Sequence, residues 1–315
     1  MKAAFLCCAL VVAVISEVAI GKPHSPDFVK ASTKGALAKV RVSLVSDEGN
    51  PVSGARVQVR FGMLDEARST NVTMLSDENG DAIVEGVTCG NYLEITASCQ
   101  DYYTSSARLC FVGMGCESEV LDGRWLPLVR DQRLVLRKIR HPTHLMAKGG
   151  AFTLPSTNEW HAFDLMVGDW VGEGGHGLVK DVEMRFEWSG DRPMEWKDQT
   201  FTVRFPEPPN GCIEIPVVKE SLFPYSYAAN ANGNFSSKIS KTITRHTDYR
   251  GVLNGDSEAL FRIRSTTNAA GEISSCIYGR FTRMDFGITR KREGAALIRY
   301  EMNPMPNDTN LEPKR

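Results

Sequence analysis

From Leu37 to Met302, apolar side chains return at every second residue in one short segment after another. A two-residue period sends alternate side chains to opposite faces of a strand, so a chain patterned this way buries its apolar face by stacking sheets. Val40, Val42 and Leu44 share one face, while Arg41 and Ser43 point the other way. Ala55, Val57, Val59 and Phe61 repeat the pattern against Arg56, Gln58 and Arg60, and Leu93, Ile95 and Ala97 form another strand. In the second half, Val182, Met184, Phe186 and Trp188 alternate with Glu183, Arg185 and Glu187, and Phe201, Val203 and Phe205 with Thr202 and Arg204. Later strands are predicted around Ile213 and Ile215, Phe261 and Ile263, Ile273 and Ile277, and Ile298 and Tyr300. No stretch of about twelve residues repeats apolar side chains at helical spacing. The prediction is an all-β protein of two β-sandwich domains with little helix.

Lys2 precedes an unbroken apolar run from Ala3 to Ile15, and Ala19 and Gly21 are small residues placed for a cut before Lys22. That arrangement reads as an export signal over residues 1–21. The run is shorter than the roughly 18 residues a membrane-spanning helix needs, so no transmembrane segment is expected in the mature chain. The expected location is secreted, periplasmic or cell-surface. The 37 basic residues nearly balance the 38 acidic ones, which removes the general attraction nucleic-acid binding relies on. The roughly 290 remaining residues suit two domains.

Turn chemistry sets the strand limits of the first half. Asp47-Glu48-Gly49-Asn50-Pro51 ends one strand, and Asp77-Glu78-Asn79-Gly80-Asp81 carries an Asn-Gly pair suited to a tight hairpin. The order Gly49-x-Pro51-Val52-x-Gly54-Ala55-x-Val57-x-Val59, then Asp77-x-x-Gly80, then Gly90-x-Tyr92-x-x-Ile95 and Tyr102 resembles the carboxypeptidase regulatory-like (transthyretin-like) module. The resemblance covers about Leu37 to Phe111 and implies a transthyretin-like or immunoglobulin-like sandwich serving as an accessory, folding or adhesion unit. Farther on, Phe163-Asp164-Leu165-x-x-Gly168-Asp169-Trp170-Val171, with Gly177, Asp181 and the ending from Tyr300 to Glu312, resembles a group of exported Planctomycetes and Verrucomicrobia proteins of unknown function. The predicted organisation is a flexible lead-in over 22–36, a first sandwich over 37–124 and a connecting strand over 125–140. A larger, jelly-roll-like sandwich over 141–303 and a polar, proline-rich tail over 304–315 complete it.

Six cysteines follow the leader: Cys89, Cys99, Cys110 and Cys116 in the first half, Cys212 and Cys276 in the second. Even numbers in an exported chain predict disulfides, Cys212 with Cys276 and the other four among themselves in an order sequence does not set. No Cys-x-x-Cys pair or zinc-protease histidine spacing is present, so neither a metal site nor a cofactor is predicted. Nucleophile-elbow and phosphate-loop motifs are also missing.

The richest cluster of polar and aromatic residues is Trp160, His161, Asp164, Asp169, Trp170, Glu173, His176 and Asp181, set among Gly172, Gly174, Gly175 and Gly177. Indole faces stack on the apolar side of a pyranose while carboxylates bond its hydroxyls. Trp160, Asp164, Asp169, Trp170, His176 and Asp181 are therefore the candidate ligand contacts, with polysaccharide or another cell-envelope component as the partner. The plainer reading of the same residues is a glycine-rich hairpin with tryptophans in the core and acids on the rim. A glycoside hydrolase using two of Asp164, Asp169, Glu173 and Asp181 is a rival, and needs two carboxyls about 5 to 10 Å apart in an open cleft. A scaffold with no small ligand is the third reading.

Overall fold

Ala36–Ser46 forms β1 with in-and-out burial, its Ala38, Val40, Val42 and Leu44 wholly buried. The computed structural model describes residues 25–90, 92–113, 116–172, 174–190, 196–244, 253, 256–289 and 293–314. The predicted export signal over 1–21 and Glu173 lie outside the described residues, as do the side chains of 113–117. Two compact units emerge, one holding the chain up to Gln100 with Thr104–Leu136, the other Asp101–Tyr103 with Arg137–Arg315.

In the first unit β1 is followed by β2 (Arg56–Phe61), β3 (Thr70–Leu75), β4 (Asp81–Thr88), β5 (Leu93–Ser98) and β6 (Ser105–Leu109). Four two-residue strands come next: β7 (Val112–Gly113), β8 (Cys116–Glu117), β9 (Val120–Leu121) and β10 (Arg124–Trp125), and then β11 (Arg130–Leu136). One sheet is centred on β1, which pairs antiparallel with β4 and parallel with β11 and β10. The other sheet runs β3-β2-β5-β6. The turn predicted to close a hairpin at Asp77–Asp81 does something different. Asp77 N–H donates to Asp81 O at 2.9 Å, but β3 stays beside β2 while β4 crosses to β1, so the turn is a corner between sheets. Gly80 is required there, since its φ is +79° and a Cβ would lie 2.4 Å from Leu44 O.

Two expected connectors are structured elements. Within the lead-in, Pro26–Lys34 forms helix α1, with Ser25 as N-cap accepting from Phe28 N–H at 3.2 Å and proline in the first turn. Its buried Phe28 meets Trp125 edge-on at 5.7 Å. Nine residues are too few to display a helical period in sequence, which is why the helix was not predicted. The "connecting strand" is β11, a sheet member with Leu134 and Leu136 fully buried.

The second unit holds β12 (Met146–Thr153), β13 (His161–Asp164), β14 (Asp169–Trp170), β15 (Val182–Gly190), β16 (Trp196–Arg204), β17 (Gly211–Pro216), β18 (Lys238–Thr244), β19 (Ser257–Thr267), β20 (Ile273–Ile288) and β21 (Gly294–Met302). They form two antiparallel five-stranded sheets, β12-β21-β20-β19-β17 and β14-β13-β15-β16-β18. Phe163, Phe186, Phe201, Phe261 and Phe281, all fully buried, fill the space between them. Both units are β-sandwiches, as the alternation predicts.

The polar, proline-rich tail, expected to lie along the surface or be disordered, is anchored to the fold. Leu311 is wholly buried with Leu260 and Tyr278, and the Glu312 carboxylate accepts from Arg140 N–H, His141 N–H and Tyr103 O–H at 2.8, 2.6 and 3.0 Å. A carboxylate holding three donors anchors the segment despite its composition.

The predicted Cys212–Cys276 disulfide is absent, and both residues are free buried thiols. Cys212 on β17 points into the core between the sheets, whereas Cys276 on β20 packs with Ala229, Leu260 and Leu311 on the opposite face of the same sheet. Thiols on opposite faces cannot meet bridge geometry. Cys89 and Cys99 are also free, so these two do not pair within the first unit. Cys110 is disulfide-bonded.

Candidate functional site

The predicted constellation separates into a buried brace, an exposed pair and a groove. Asp164 and Asp181 form the brace, each 1% exposed. Asp164 Oδ1 accepts from Met166 and Val167 N–H at 2.9 Å, and Oδ2 from Leu178 and Val179 N–H at 3.0 Å. Arg264 joins the two acids, its Nη2 2.8 Å from Asp164 Oδ1 and its Nε 2.9 Å from Asp181 Oδ1. Arg264 sits at a β-bulge in β19, where the register against β20 slips after Ile263, and has a φ of +52°. A bulge re-aims a side chain that regular pleating would send elsewhere.

Burial by itself pushes Asp164 up, but the N–H groups of Val167, Leu178 and Val179 and the charge of Arg264 outweigh it, leaving the carboxyl below its ordinary range. For Asp181 burial wins over Arg264, and its pKa is raised. Both acids are hydrogen-bonded inside the protein, so neither can serve as a ligand contact or as one of a catalytic pair in an open cleft. These two assignments are corrected: the carboxylates hold the fold.

Asp169 and His176 make the exposed pair. Asp169 Oδ2 lies 2.8 Å from His176 Nδ1 and accepts His176 N–H at 2.9 Å, holding the Asp169 carboxyl below its usual range. They tie the two ends of the glycine-rich loop together. Gly175 and Gly177 are needed because a Cβ would lie 2.1 Å and 2.8 Å, respectively, from Trp170 O. Neither Asp169 nor His176 lines the groove.

The tryptophans do line it. A cavity of about 360 Å³ is bounded by Trp160, His161, Trp170, Lys180 and Glu183, with Pro155, Ala162 and Val171 completing its wall. Cross-strand register divides the lining. Ala162 stands opposite Glu183, and Glu183 opposite Arg204, so these three share the outer face of the sheet, whereas Trp170 stands opposite Phe163 and His161 opposite Met184 on the core-facing side. Arg204 stacks 3.8 Å from the centre of the Trp160 ring and bonds Glu183. Trp170 is half-buried, edge-on to Phe163 at 5.1 Å and to His161 at 6.0 Å. His161 Nε2 lies 3.1 Å from Ser156 Oγ. Among the described residues, no group of three or more His, Cys, Asp or Glu could hold a metal ion.

Sequence reasoning missed Lys180, Glu183, Arg204 and Arg264. Glu183 and Arg204 are visible as outward-facing residues, but only the β15–β16 register sets them opposite each other, and alternation alone does not fix register.

No family model and no curated protein matches this chain. Among solved structures, the chlorocatechol 1,2-dioxygenase of Pseudomonas putida aligns at 11% identity and TM-score 0.27, covering 33% of this chain. This chain spans only 61% of that enzyme's length. A DUF3823 family protein from Parabacteroides merdae aligns over 84% of this chain and 96% of its own at 8% identity and TM-score 0.22. BcpA, the major pilin subunit of Bacillus cereus, aligns over 83% and 68% at 10% identity and TM-score 0.24. At these values the likenesses decide nothing about chemistry; the β-sandwich fold rests on the chain's own strands.

Proposed function

We propose that this chain is an exported, secreted or cell-surface binding protein whose second unit takes carbohydrate in the Trp160–Trp170 groove. The first unit, a carboxypeptidase regulatory-like module by its sequence resemblance, acts as an accessory spacer. The observation that carries this reading is one cavity lined by Trp160, His161, Trp170, Lys180 and Glu183 at the edge of the sheet. Apolar ring faces beside a few polar groups form the kind of concave site that binds small ligands. The N-terminal apolar run supports export. The paired-carboxylate rival loses Asp164 and Asp181 to Arg264 and Asp169 to His176.

The test is a glycan-array screen of the wild type and Trp160→Ala, followed by titration of any glycan retained. Binding by the wild type that Trp160→Ala abolishes or weakens at least about tenfold supports the reading, a loss of ~1.4 kcal/mol. A clean negative across polysaccharides removes it and leaves the ligand-free scaffold.

A further inference from the structure

Among the described residues that line the groove there is one acid, Glu183, and both of its oxygens are already paired. Glu183 is 7% exposed. Its Oε1 is held by Lys180 Nζ at 3.0 Å and its Oε2 by Arg204 Nε at 2.5 Å. Burial would push Glu183 up, but Lys180 and Arg204 overcome it and keep the carboxyl below its usual range, so it is a fixed anion at neutral pH. Two cations around one carboxylate leave an excess positive charge at the groove. Arg185, the next cation along the sheet, is paired with Glu187 at 2.7 Å and adds nothing to that excess.

Donors remain as well as charge. Lys180 is half exposed, and its ammonium carries three N–H donors; the Arg204 guanidinium carries five, of which Nε is the one bonded to Glu183. Arg204 is held in place by stacking on Trp160, which presents a planar fork beside an indole face.

We propose that the groove selects acidic glycans, specifically uronate-bearing oligosaccharides. The sugar sits in the groove beside Trp160, and its carboxylate pairs with Lys180 and the terminal amines of Arg204. A neutral sugar fills the groove and leaves the excess charge unpaired. This inference rests on the carbohydrate reading above.

The experiment compares an oligogalacturonide with its fully methyl-esterified form, titrated calorimetrically into the full chain, the Lys180→Ala variant and the Trp160→Ala variant. The two probes share one backbone and differ in charge. At low salt the acid form is expected to bind about tenfold more tightly than the ester, and the preference should shrink as salt screens the pair. Lys180→Ala should cost the acid form roughly fivefold more than it costs the ester, the worth of one partly exposed ion pair. Trp160→Ala should weaken both probes. Equal or tighter binding of the ester, or a preference undiminished in Lys180→Ala, overturns the inference. Retention of neutral glycans alone also overturns it while the carbohydrate reading stands. Absence of any glycan binding takes both away.

Discussion

Arg264 grips Asp181 with two prongs, Nε to Oδ1 at 2.9 Å and Nη2 to Oδ2 at 3.0 Å, and the aspartate is all but sealed from water. The same Nη2 also reaches Asp164 at 2.8 Å. Removing the guanidinium strands two buried carboxylates. Arg264→Ala is expected to destabilise the second unit by about 3–5 kcal/mol in urea unfolding, the usual cost of breaking a buried pair. A loss under about 1 kcal/mol would show that the brace is not structural.

Asp164 adds a pH signature to that brace. Its folded pKa is lowered, so the stability it contributes is complete above the ordinary aspartate value and is lost as pH falls through the lowered one. The deficit of Asp164→Asn relative to wild type should therefore be largest near neutrality and shrink in acid. A deficit independent of pH in thermal melts would contradict the ionised state assigned here.

Glu258 has the opposite sign. It is fully buried; its Oε1 accepts Ser226 N–H at 2.6 Å and its Oε2 has no hydrogen-bond partner among the described residues. Burial raises its pKa against the pull of Ser226, Arg280 and Arg137. Folding is then favoured while the group is protonated, and stability is lost as pH rises from its ordinary value through the raised one. Glu258→Gln keeps the Ser226 acceptor, so it is expected to melt at or above wild type at pH 8, with the gain vanishing near pH 4. A Glu258→Gln protein less stable than wild type at pH 8 would count against this.

The two groove tryptophans should differ in what they do for the fold. Trp170 packs on Phe163, Phe152 and His161, and Trp170→Ala is expected to cost about 2–4 kcal/mol of stability. Trp160 touches mainly Arg204 and Arg185 on the outer face, and Trp160→Ala should cost about 1 kcal/mol or less. Equal losses in urea unfolding would mean Trp160 belongs to the core.

The cysteine arrangement is open to mass spectrometry. Alkylation of the unfolded, unreduced protein should label Cys212 and Cys276 completely. In the folded state Cys212 should resist, because burial and the nearby Glu214 push its thiol up to about 12. A peptide pair linking Cys212 to Cys276 would contradict the placement of the two on opposite sheet faces.

Much of the fold is legible in the residues. The alternation of Val182 to Trp188 and of Phe201 to Phe205 reappears as β15 and β16. Other strands left no such trace. In β12, Gly149 and Gly150 interrupt the pattern, and in β18 the buried Ile239 and Ile243 stand four residues apart among Ser, Lys and Thr. The site was half visible. Indoles and acids named the region, but the role of Asp164 and Asp181 depends on Arg264, 100 and 83 residues farther along and turned inward by a bulge. Nothing near either aspartate in sequence announces that partner.

The central claim is that a ligand enters the Trp160–Trp170 groove, and the five indole N–H resonances report on it directly. Titrated with a glycan retained in the array screen, ¹⁵N-labelled protein should show the Trp160 and Trp170 signals moving while Trp125, Trp188 and Trp196 stay fixed. Shifts confined to those three, or none at saturation, would contradict it.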